Sequence, residues 1–152
     1  MCSRCAPVTH RAKNCLGRSV ALAYNQGMPG SLFVLTTVSG RSIRNPIDED
    51  LRRALDDVFQ LSPPADEALA TPTPRLPSAW LRYEQRPGIT LVLEVYPGGT
   101  ISFDQWEDAH YAREIAPSAR LTGISFSHAL ALWRALRAGD VAAVRAENWE
   151  TQ

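Results

Sequence analysis

Hydrophobic and polar positions change period several times along this chain, and each change marks an element. SLFVLTTVSG from Ser31 is rich in β-branched and aromatic residues and stops at Gly40, which predicts a buried strand over 31–38. In RNPIDEDLRRALDDVFQL the period becomes helical. Ile47, Leu51, Ala54, Leu55 and Val58 recur at three and four, while Asp48, Arg52, Arg53, Asp56 and Asp57 fall on the other side. Asn45 is the expected cap and Pro46 the expected first helical residue, with Asp48, Glu49 and Asp50 near the positive end of the dipole. Residues 62–78 hold five of the eleven prolines and read as a long irregular connection, with at most a helical turn around Glu67.

Beyond it, AWLRYEQ, ITLVLEVY and TISFDQW are three strand-like runs joined at Arg86-Pro87-Gly88 and at Pro97-Gly98-Gly99, the pattern of an antiparallel meander. Leu91, Leu93 and Val95 share one face of the middle run, and Val92, Glu94 and Tyr96 share the other. Both faces are partly apolar, so this strand is expected at the centre of the sheet, with helices on one side. Residues 107–116 are weakly helical, with a turn expected around Pro117. SFSHALALWRALRAGD then predicts a second helix, capped by Ser125 or Ser127 and stopped by Gly139. A short helix in VAAVRAE precedes Trp149. The expected architecture is α+β: a small antiparallel sheet, one strand plus a three-stranded meander, packed against two or three helices.

Length permits one ordinary domain, and the 45% hydrophobic and 21% charged shares are those of a folded globular protein. No apolar run approaches the roughly 18–20 residues that cross a bilayer, and no secretory signal opens the chain. A soluble cytoplasmic protein is expected, with no membrane partner.

Residues 1–27 stand apart. They carry Arg4, Arg11, Lys13 and Arg18 and no acid, so a chain of zero net charge has a body of minus four. An acidic body disfavours nucleic acid as a partner and suits one with a basic surface. All three cysteines are here: Cys2, Cys5, His10 and Cys15 stand at C-x2-C-x4-H-x4-C, the spacing of a zinc knuckle, which offers four ligands for tetrahedral zinc. The glycines and stacking aromatic of such knuckles are missing: Ser3, Ala6 and Thr9 take their places. Three readings stay open for this segment: a zinc site in a small nucleic-acid-binding or regulatory protein, sequence upstream of a natural start at Met28, or a mobile basic tail. The expectation is a non-core segment over 1–27, a single domain over 28–152, and no cofactor.

No H-E-x-x-H, G-x-S-x-G, Walker loop or G-x-G-x-x-G occurs. Asp104, Glu107, Asp108 and His110 form the body's one cluster of acids and histidine, a set that can in principle supply a general base or metal ligands but reads as solvated surface. Ser125 and Ser127 beside His128 are accounted for by capping. An enzyme is not expected.

Three blocks carry a family likeness: GRSIRNPIDEDLRRAL after a strand, WLRYEQRPGITLVLEVYPGG with its Glu-x-Tyr, and ISFSHALALWRALRAGDVAAVRAENWE with Gly-Asp after the helix and a late Trp. Their order over about residues 29–150 resembles small bacterial immunity proteins of polymorphic toxin systems, particularly the first of the numbered immunity-protein families. The resemblance implies a non-enzymatic protein that binds a cognate toxin domain and blocks its active site. Many such toxins are nucleases or deaminases with basic grooves. An acidic rim of Asp104, Glu107 and Asp108, with Trp106 as anchor and Glu94 and His110 nearby, is the expected toxin-binding set.

Overall fold

The computed structural model describes residues 30–62, 76–85 and 88–151. Their fold is α+β, with one seven-stranded antiparallel sheet and three helices. In chain order the elements are β1 (Ser31–Thr36), β2 (Ser42–Arg44), α1 (Asp48–Phe59), β3 (Ala79–Gln85), β4 (Thr90–Tyr96), β5 (Thr100–Trp106), β6 (Glu114–Leu121), α2 (Phe126–Arg137), α3 (Val141–Arg145) and β7 (Glu150–Thr151). The spatial order is β2-β1-β3-β4-β5-β6-β7, which puts β4 in the middle as its two-sided apolar pattern requires. The meander of β3, β4 and β5 forms as its alternation predicts.

The sheet is larger than the four strands expected from the sequence. Strands β2 and β7 have three and two residues, too few to carry a period. Residues 107–113 are a loop and β6 starts at Glu114, in place of the expected weak helix at 107–116 and turn at Pro117. The pairing of β6 with β5 jumps from Ala116 to Ala119 while β5 moves from Gln105 to Phe103, so Pro117 and Ser118 together oppose Asp104. A bulge is where a strand tolerates proline, which has no N–H for the ladder. The irregularity erases the alternation that would have announced the strand.

Parity divides the sheet sharply. Phe33, Leu35, Leu81, Leu93 and Phe103 point to one face and form the core with Leu51, Leu55 and Val58 of α1 and Leu130, Trp133 and Leu136 of α2. Each fully buried Leu there contributes about 1.5–3 kcal/mol of transfer free energy. The two helices meet through Phe59 and Phe126, whose rings stand edge-to-face at 5.7 Å. The Nε and Nη2 of Arg134 donate to both oxygens of Asp48, at 2.6 and 2.8 Å, and tie the last turn of α2 to the first turn of α1. Hydrogen bonds from Arg134 and from Arg52 hold the Asp48 carboxyl well below the usual carboxylate range.

The cap of α1 differs from expectation, and the cap of α2 is one of the two serines expected. Asn45 is not the cap of α1: its backbone N–H bonds the carbonyl of Phe33 at 2.8 Å and its φ is 48°, so it closes the β-hairpin. The cap is Ile47, whose N–H donates to the Asp50 carboxylate at 2.9 Å. For α2 the cap is Ser125, with Oγ accepting from the His128 N–H at 3.2 Å. Gly139 follows its end at φ 77°, as a left-handed stop.

Candidate partner-binding face

The side of the sheet opposite the helices carries a different chemistry. Across the strands, Val34, Arg82, Val92 and Asp104 form one row. Thr36, Trp80, Glu94, Ser102 and Arg120 form the next. On the other flank, Leu32, Glu84, Thr90, Trp106 and Glu114 form a third. The buried polar residues Thr36, Glu84, Thr90 and Ser102 all lie on these rows. No described helix packs here.

A concave pocket of about 360 Å³ opens on this face, lined by Ser78, Trp80, Val92, Glu94, Asp104, Trp106 and Tyr111. Val92, in the middle of β4, sits between Arg82 on β3 and Asp104 on β5. Trp80 lies across from Glu94 at one end, and Trp106 lies across from Thr90 at the other, so the two indoles stand diagonally about the valine.

Hydroxyls orient one of the two carboxylates. Ser78 Oγ donates to Glu94 Oε1 at 2.5 Å. Burial, together with a hydrogen bond to Glu94, pushes the Tyr96 phenol above its ordinary value. The Tyr96 hydroxyl is a second contact of the Glu94 carboxylate. Ser102 Oγ lies 3.4 Å from Asp104 Oδ2, a long and weak contact. Among the described residues, neither Glu94 nor Asp104 is paired with an arginine or histidine. Arg82, in the same row as Asp104, is committed elsewhere: Nη2 lies 2.9 Å from Glu84, and Nη1 donates to Tyr111 Oη at 3.2 Å.

The loop between β5 and β6 builds one wall. Asp108 accepts the backbone N–H of His110 at 2.8 Å and of Ala112 at 3.3 Å, and the Glu107 N–H donates to the Arg113 carbonyl at 2.9 Å. These bonds turn the chain so that Tyr111 adopts φ 57° and lays its ring edge-on to Trp106, with centroids 5.4 Å apart. Left-handed backbone is costly for a residue with a Cβ, and such strain gathers at binding clamps.

Of the residues expected from sequence, Glu94, Asp104 and Trp106 come together in this pocket. Glu107 does not line it and lies 3.4 Å from Arg113. Asp108 is spent on loop amides and His110 is exposed, so the four residues of the acid and histidine cluster do not converge on one point. Trp149 lies elsewhere, against Phe103 on the helix side, with Nε1 donating to the Val144 carbonyl at 2.7 Å. The serine-histidine pairing fails too: the His128 ring meets Glu147 at 3.1 Å and not Ser125.

Sequence reasoning passed over Trp80 and Tyr111. Trp80 was legible by parity with Arg82 and Glu84, whereas Tyr111 reaches the pocket only through the loop turn. Cys2, Cys5, His10 and Cys15, the division at Met28 and most of the 62–78 connection lie outside the described residues. Among the described residues no group of three or more His, Cys, Asp or Glu is placed to hold a metal, and no helix is long and apolar enough to cross a membrane. Comparison with protein-family models, with curated proteins and with solved structures gives no match to this chain.

Proposed function

We propose that this chain is a non-enzymatic cytoplasmic immunity protein that binds a cognate bacterial toxin domain and covers its active site, using the sheet face opposite the helices. The observation that carries the reading is the pocket there, in which three aromatic rings and two carboxylates without a cationic partner among the described residues face outward together. Partly exposed aromatic anchors beside unpaired charge favour a protein partner over a self-contained active site. Opposed charge adds speed and orientation against a basic groove. The order of the three sequence blocks, on which the resemblance to immunity proteins rests, supplies the biological context. No cofactor is required, and the partner is a protein and neither nucleic acid nor membrane.

The test is protection. The last domain encoded by the gene directly upstream is expressed in a laboratory bacterium with and without this chain. Growth arrest that this chain relieves, with the two proteins co-purifying, is the expected result. An upstream domain that is harmless, or one that kills equally in both strains, rejects the reading.

A further inference from the structure

We infer that the pocket receives one arginine side chain of the protein partner, an assignment that rests on the proposed function and names the chemistry of its contact. The shape comes first. The pocket runs diagonally over Val92, with Trp80 and Glu94 at one end, Trp106 and Tyr111 at the other, and Asp104 beside the middle. At about 360 Å³ it is at the small end of ligand sites, sized for a single extended side chain and too narrow for a helix.

The occupant must have an apolar stem and a cationic head. The aromatic and valine walls reward burial of methylenes, and the negative faces of indole and phenol rings attract a cation. The charges that line the pocket, Glu94 and Asp104, have one sign. Glu94 carries two hydroxyl contacts but no counter-ion among the described residues, Asp104 has only the long contact to Ser102, and the charge of Arg82 is offset by Glu84 at 2.9 Å. A negative charge brought here would face two carboxylates. A neutral chain would strand them in a partly apolar cleft.

Arginine fits better than lysine. Its flat guanidinium can stack on a ring while its edge donates to carboxylate oxygens, whereas a compact, strongly hydrated ammonium gains less from flat walls. The Arg82 guanidinium shows the edge contacts of this chemistry on the same face, donating to a tyrosine hydroxyl and pairing with a glutamate.

The experiment titrates the full-length protein with N-acetyl-arginine amide and follows the four indole N–H signals by proton-nitrogen NMR. The expected result is saturable movement of the Trp80 and Trp106 signals, with a dissociation constant of roughly 1–10 mM, as suits one side chain without its protein. Trp133 and Trp149 should stay still and serve as internal reporters of folding. N-acetyl-citrulline amide, equal in shape but uncharged, should leave all four unmoved, and Asp104→Asn should weaken arginine binding about tenfold. Equal response to citrulline, movement of all four indoles alike, or no saturation by about 50 mM overturns the assignment. A chain that protects cells but ignores the arginine probe loses only this inference. One that binds the probe but protects against nothing loses the immunity reading.

Discussion

The phenol of Tyr111 stands edge-on to the indole of Trp106, at 84° between planes, while its hydroxyl accepts a hydrogen bond from Arg82 on β3. One loop residue thus joins the two strands that flank β4, and it does so from a left-handed backbone. Strain, ring contact and pocket wall meet in a single side chain.

Tyr111→Gly separates them. Removing the Cβ relieves about 1–2 kcal/mol of backbone strain and forfeits a ring contact worth about 0.5–1.5 kcal/mol, so urea denaturation should find stability within about 1 kcal/mol of wild type. Affinity for the pocket's occupant should fall about tenfold, because an aromatic anchor is gone. A large loss of stability with binding unchanged would make the residue structural.

Gly99 tests how the meander is locked to α2. It has φ 75°, and a Cβ built there would lie 2.5 Å from the Ile124 carbonyl oxygen, in the segment that leads into the Ser125 cap. Its own carbonyl accepts the Ile124 N–H at 2.9 Å. Gly99→Ala should therefore cost about 2–4 kcal/mol, from positive φ plus a clash with backbone that cannot swing aside, measured as a lower urea midpoint at unchanged slope.

Asp48 sets an acid limit on the helix pair. Its carboxyl is held low by Arg134 and Arg52, so the folded state binds its proton less readily than the unfolded chain. The stabilisation is fully present above the ordinary carboxylate value near 3.9 and is lost as pH falls through the depressed folded value. Both partners are substantially exposed, with side chains 42% and 43% accessible, and solvent screens the pair. Asp48→Asn should lower Tm by only roughly 2 °C at pH 7, with the gap to wild type shrinking progressively below about pH 4. A gap that widened in acid would reverse the assigned direction.

Zinc content addresses the cysteine segment. Cys2, Cys5, His10 and Cys15 have knuckle spacing without the turn glycines, so full-length protein purified without chelator should carry less than about 0.1 zinc per chain by elemental analysis. Stoichiometric zinc would restore the knuckle reading.

Elements long enough to repeat a pattern were legible in the sequence: β1, α1, the meander and α2 all declared themselves by period and punctuation. The bounds shifted where backbone bonding took over, as at Asn45, which the β-hairpin claims before the helix can. Strand β6 stayed hidden because Pro117 and Ser118 bulge opposite Asp104, and β2 and β7 because they are too short to alternate. For the site, strand parity alone places Glu94, Asp104 and Trp106 on one face. Trp149 lies on the other side, against Phe103. Asp108 and Tyr111 act through loop hydrogen bonds and one positive φ, which leave no periodic trace.

A partner that lies on the sheet face opposite the helices is tested by the affinity, for the domain encoded directly upstream, of two variants that both keep the wild-type Tm. The first, Trp80→Ala with Asp104→Arg, alters the pocket; the second, Arg53→Ala with Asp57→Ala, alters the exposed side of α1. The pocket variant should bind at least ~100-fold more weakly and fail to protect cells, and the helix variant should match wild type. Full affinity in the pocket variant, with loss in the helix variant, would contradict the claim and move the interface to the other side of the molecule.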